Sequence, residues 1–113
     1  EVGLSTRRRL ATQYKRSEEW DKAVTLWVEM TESEDASGDL LYCLRELSMY
    51  FEHRAKEFTR AHKYAEEGYV VSMGFSEYYL RDFSHRKDRL KQKIKKTEAK
   101  SEDPSPDPKP IDE

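Results

Sequence analysis

A spacing that occurs twice constrains this chain more than any other feature. Tyr14, Trp20, Ala23 and Trp27 stand beside Phe51, Phe58, Ala61 and Ala65, displaced by 37 residues at the first pair and 38 at the others. Self-similarity at a period of about 20–50 residues marks an array of supersecondary units, each unable to bury its apolar face alone. Within the first unit, SEEWDKAVTLW places Trp20, Ala23, Trp27 and Met30 at steps of three, four and three, one side of a helix. A small residue bracketed by large ones suits two helices crossing closely at the small position.

The rest of the chain divides into helices on the same logic. Leu4, Leu10, Ala11 and Tyr14 predict a first helix over 5–16, and Ser17 is the expected cap of the second. TESEDASG, residues 31–38, predicts a loop, with Asp39 capping a third helix in which Leu40, Leu44, Leu47 and Phe51 face inward. After a short turn at 55–57, a fourth helix over 58–73 carries the small-residue stripe Ala61, Ala65, Gly68 and Ser72 behind Phe58, and Gly74 reads as its stop. Ser76 is the expected cap of a fifth helix with Tyr79, Leu80, Phe83, Leu90 and Ile94 inward. Four prolines at 104, 106, 108 and 110 forbid helix beyond it. The fold class is therefore all-α: two helical hairpins and a capping helix over 1–98, and a disordered acidic tail over 99–113.

Charge is uneven along the chain. The formal net charge is only -2, but residues 81–100 hold nine Lys or Arg against three acids. One cysteine, Cys43, excludes an internal disulfide, and no apolar run reaches the length of a membrane span, so a cytoplasmic protein without membrane contact is expected. A first residue Glu1 rather than Met suggests a domain cut from a longer parent.

Ala11, Tyr14, Trp20, Ala23 and Trp27, and again Ser48, Phe51, Phe58, Ala61 and Ala65, make the pattern resemble a tetratricopeptide repeat. The stretch LRELSMYFEHRAKEFTRAHKYAEEG, through YFEHRAKEF, also resembles the region after the nuclease domain in a family of bacterial ribonuclease H-like proteins with a tetratricopeptide-like C-terminal part. The first resemblance implies a groove lined by the first helix of each hairpin. Its positions fall on Arg8, Thr12, Lys15 and Arg16, then on Arg45, Met49, Glu52 and His53. That face is mostly basic and would favour an acidic protein segment, or the parent's own upstream domain.

Chemistry-bearing motifs are absent. His53, His62 and His85 sit on three predicted helices at no ligand spacing, and HExxH, CxxC, GxGxxG, P-loop and GxSxG patterns do not occur. No catalytic residue, metal site or cofactor is expected in this chain. Glu18 and Glu19 read as first-turn acids, and Cys43 as a buried inert thiol. The alternative function is nucleic-acid contact, as an accessory to a ribonuclease H-like nuclease, through Arg86, Arg89, Lys93 and Lys96 on the basic fifth helix.

Overall fold

The computed structural model describes residues 4–32 and 38–102. Within them the chain is all-α, with α1 (Leu4–Arg16), α2 (Trp20–Thr31), α3 (Gly38–His53), α4 (Phe58–Ser72) and α5 (Glu77–Glu102). Each helix packs chiefly on its neighbours in sequence, giving two consecutive hairpins and a long fifth helix against the second. The core runs along the stack through Ala11, Ala23, Trp27, Met30, Leu41, Cys43, Leu44, Leu47, Phe51, Ala61, Ala65, Phe83 and Leu90.

The internal repeat is visible in side-chain geometry. Lys22 lies over the Tyr14 ring at 5.6 Å, and Arg60, its counterpart, lies over Phe51 at 4.1 Å. Small residues mark the close approaches, as expected: Ala23, Ala61 and Ala65 are fully buried. Gly68 goes further, because a Cβ there would overlap the Phe83 ring. Phe83 thus fills the hollow that Ala65 and Gly68 leave, and burying such a ring stabilises by about 3 kcal/mol.

Local signals hold at one junction and fail at another. Ser76 caps α5 as expected, accepting the Tyr79 N–H at 3.2 Å, and Gly74 takes φ +72° just after α4. Ser17 does not cap α2. Its hydroxyl donates backwards to the Gln13 carbonyl at 3.0 Å, and α1 closes with the Glu19 N–H on the Tyr14 carbonyl at 2.8 Å. That closure needs a left-handed residue, which is Glu18 at φ 61°. Glu18 and Glu19 therefore lie in the turn, and α2 starts at Trp20. Asp39 sits inside the first turn of α3 rather than before it. Residues 99–102 belong to α5, so the tail boundary expected at 99 moves outward. Residues 33–37 of the expected loop, and the tail from 103, lie outside the described residues.

The α1 end of the stack is polar, and the α5 end is polar apart from Tyr78. On α3, the first hairpin covers Cys43 through Met30, Glu46 through Lys15 and Tyr50 through Trp20. The counterparts on α1, one period earlier, are Thr6, Arg9 and Gln13, all exposed. On α3, the partners of α4 include Ser48, which donates to the Ala61 carbonyl at 2.9 Å, and Phe51, which stacks on Tyr64. Their counterparts on α5, His85 and Asp88, are exposed. Terminal units of a stacked array need such polar outer faces.

Candidate docking face

Three helices build one surface. Contacts between α1 and α3 advance together along both helices, from Arg8–Asp39 through Thr12–Tyr42 to Lys15–Glu46, so the two run parallel. Arg45–Tyr78 and Glu52–Arg89 show the same for α3 and α5. The residues expected on the first helix of each hairpin are thereby brought to one face, and α5 joins it.

On the α1–α3 part of this face two of the expected cations, Arg8 and Lys15, are neutralised. Arg8 meets Asp39 at 2.9 Å while lying 4.1 Å over the Tyr42 ring, and Lys15 meets the buried carboxylate of Glu46 at 2.9 Å. Thr12 shares a hydrogen bond with the Tyr42 hydroxyl at 3.0 Å. Arg16 is exposed and makes no ion pair among the described residues. Met49 and His53 line a small cavity of about 170 Å³ with Lys15, Trp20, Glu46, Tyr50 and Arg54. The Trp20 Nε1 is buried without a hydrogen-bond partner among the described residues.

The α3–α5 part is organised around Glu52. Its side chain is fully buried, and it receives Arg89 at 2.6 and 3.2 Å and Lys93 at 2.6 Å. Arg86 Nη1 stands 4.0 Å away and His53 Nε2 3.5 Å away. Burial alone would push this carboxyl up. The hydrogen bonds from Arg89 and Lys93, with the charges of Arg89 and His53, outweigh burial and hold it at about 2. Glu52 is thus a buried tie between two helices, where the groove pattern expected an exposed side chain.

Three of the four cations expected to face nucleic acid share that carboxylate. Arg86 is nearly buried and also pairs with Asp82 at 3.4 Å, while Arg89 and Lys93 keep part of their surface open. Lys96 is exposed. Both expected lists therefore merge: Arg45, His53, Arg86, Arg89 and Lys93 surround the acids Glu52 and Asp82, leaving a local cationic excess. The sequence signal for this was an interruption. Phe83 and Leu90 are buried inward positions, and the helical step between them falls on Arg86, a cation where the stripe asks for an apolar side chain.

Other candidate groups stay dispersed. Cys43 is buried with its thiol 3.6 Å from the Met30 sulfur, and burial, then the Asp39 charge, pushes it up to about 12. Among the described residues no three His, Cys, Asp or Glu side chains gather as a metal-binding group, and no helix is long and apolar enough to cross a membrane.

No protein-family model and no solved structure matches the chain. It is similar to the uncharacterized protein YprB of Bacillus subtilis (strain 168), with 33% identity over 89 residues, which is 79% of this chain and 21% of that protein. The chain thus spans about a fifth of the length of the curated relative it matches.

Proposed function

We propose that this chain is a non-catalytic docking module of tetratricopeptide type. Its α1–α3–α5 face receives an acidic protein segment, supplied by a partner or by another part of a longer polypeptide. The carrying observation is the cationic excess around Glu52, where Arg86, Arg89 and Lys93 converge on one carboxylate and two of the three remain partly open. Charge-assisted hydrogen bonds from such groups to a carboxylate are about twice as strong as neutral ones. The balanced pairs Arg8–Asp39 and Lys15–Glu46 leave less for a ligand on the α1 side.

The test is fluorescence anisotropy with a labelled Asp/Glu-rich peptide and with labelled single-stranded and duplex RNA, at low and moderate salt. Lys96→Glu and Arg89→Ala should each weaken peptide binding several-fold, with Lys22→Glu on the opposite hairpin edge as the control. Failure of the acidic peptide to bind at low salt overturns the reading, and so does turnover of any nucleic acid by this chain alone.

A second reading draws on Lys91, Lys95 and Lys96, exposed along α5 with no ion pair among the described residues. It is contact with a phosphate backbone, in service of a ribonuclease H-like nuclease domain in a longer protein. RNA binding that falls steeply with salt, and exceeds peptide binding, favours it.

A further inference from the structure

On the opposite side of the molecule lies a second surface of different chemistry. Thr31 at the end of α2, Leu40 and Leu44 on α3, and Val70 and Val71 on α4 line an open groove of about 740 Å³, rimmed by Lys63, Glu66 and Glu67. Leu40 and Met49 are nine residues apart, and at about 100° per residue they point to opposite sides of α3, so this groove and the cationic face do not overlap. The groove leads into the α4–α5 turn. There Val70, Met73 and Phe75 are 60%, 52% and 52% exposed, the densest run of exposed large apolar side chains among the described residues.

Stacking of a further repeat does not account for these side chains. The array's outer faces are the polar positions Thr6, Arg9 and Gln13 at one end and His85 and Asp88 at the other. Val70, in the groove, sits on neither, whereas Tyr78 lies two turns before His85 on α5, borders the same shallow cavity and so belongs to the second end. Contiguous exposed apolar surface with a polar rim marks an interaction site. Its rim carries more acid than base: Glu66 and Glu67 are exposed, with no ion pair among the described residues, against the single Lys63.

We propose that this groove binds an amphipathic helical segment of a partner protein, one that lays two or three large apolar side chains between α2, α3 and α4 and presents Lys or Arg to Glu66 and Glu67. Helix-in-groove docking uses anchors spaced three and four apart, and Val70 and Met73 offer a matching step on the receiving side. The acid rim disfavours an anionic membrane surface. The module then has two faces of opposite preference: a cationic one for acidic segments, and an apolar, acid-rimmed one for basic segments. The second face stands on its own observations, whatever occupies the first.

The probe is a labelled peptide of about 18 residues, five helical turns, with Leu at positions three and four apart and Lys elsewhere. A twin with Glu for every Lys serves as comparison. The Lys peptide should bind at least about tenfold more tightly than its twin. Val70→Ser and Met73→Ser should each weaken it about fivefold or more, by the loss of an apolar anchor. Glu66→Lys with Glu67→Lys should reverse the preference, and Lys96→Glu on the other face should leave it unchanged. All of these positions are exposed, and helical circular dichroism confirms that each variant folds. Equal affinity for the two peptides, or binding indifferent to Val70→Ser and Met73→Ser, overturns the proposal. It is also overturned if Val70→Ser abolishes either a concentration-dependent dimer in sedimentation, which would assign the groove to a second copy, or binding to phosphatidylserine vesicles.

Discussion

Glu52 and Arg89 are joined by two hydrogen bonds, at 2.6 and 3.2 Å, across 37 positions, the same interval that separates equivalent residues of α1 and α3. Lys15, Glu52 and Arg89 occupy corresponding places on α1, α3 and α5. Their charges alternate, so the repeat carries an electrostatic tie from the second hairpin to the helix that follows it.

Glu52→Gln should lower the stability of the fold by about 1–3 kcal/mol, because it strands cations gathered on a buried acceptor. The lower half of that range is expected, since Arg89 and Lys93 are 48% and 38% exposed and can turn toward water. The folded carboxyl lies at about 2, below its ordinary 4.5, so its stabilisation is complete above the ordinary value and is lost as pH falls through the folded one. Thermal melts from pH 7 to pH 2 should show the gap between wild type and Glu52→Gln closing between about pH 5 and pH 2. A gap constant over that range would remove the linkage.

Cys43 should resist thiol reagents at pH 8 in the folded protein, since the thiolate is the reactive form and the group is held near 12. Labelling with a disulfide reagent should therefore proceed at the rate of chain opening and become fast in denaturant. Rapid stoichiometric labelling of the native protein would show that the α2–α3 seam opens on its own.

Gly68→Ala should destabilise by about 1–3 kcal/mol, the usual cost of overpacking a filled core. The new methyl overlaps the Phe83 ring, which is fully buried, so ring or helix must shift. Combined with Phe83→Leu, much of that cost should vanish, giving a coupling measurable in a double-mutant cycle of urea melts. Additive effects would place the strain elsewhere.

Lys56→Gly and Glu18→Gly should each raise stability by about 0.5 kcal/mol, because a non-glycine residue in the left-handed region costs more than glycine's extra unfolded entropy takes back. Lys56 has φ 57° and Glu18 φ 61°, whereas the third turn already uses Gly74 at φ 72°. Gly74→Ala should accordingly lower stability by about 1 kcal/mol. Calorimetry of the three variants checks both signs.

Much of this architecture is written in the order of side-chain sizes. The stripe Ala61, Ala65, Gly68 and Ser72 announces a close helix contact because only small side chains permit one, and all four are buried. Ser76 is legible as a cap because Gly74 stands between it and the end of α4 and its hydroxyl is left for the helix that follows. Ser17 is not, since a hydroxyl between two helices can serve either, and here the backbone closure of α1 decides. Glu52 was hidden for another reason. Its neighbours Glu-His-Arg look like solvent-facing charge, and burial of the acid depends on three cations that arrive 34–41 residues later. The groove between α2, α3 and α4 was equally out of sight, because Leu44 does face the core and only the packing of α4 beside it leaves Val70 60% exposed.

The neighbour-on-neighbour packing of the helices bears on how the chain acquires its shape. Nearly every contact joins elements adjacent along the polypeptide, so either hairpin can zip up early, at little loop-closure cost, and low contact order favours rapid folding. The ties that skip a helix are the exceptions: Arg8–Asp39 and Lys15–Glu46 between α1 and α3, and the Glu52 clamp, which forms only when α5 swings back over the finished second hairpin. The docking face is then completed last.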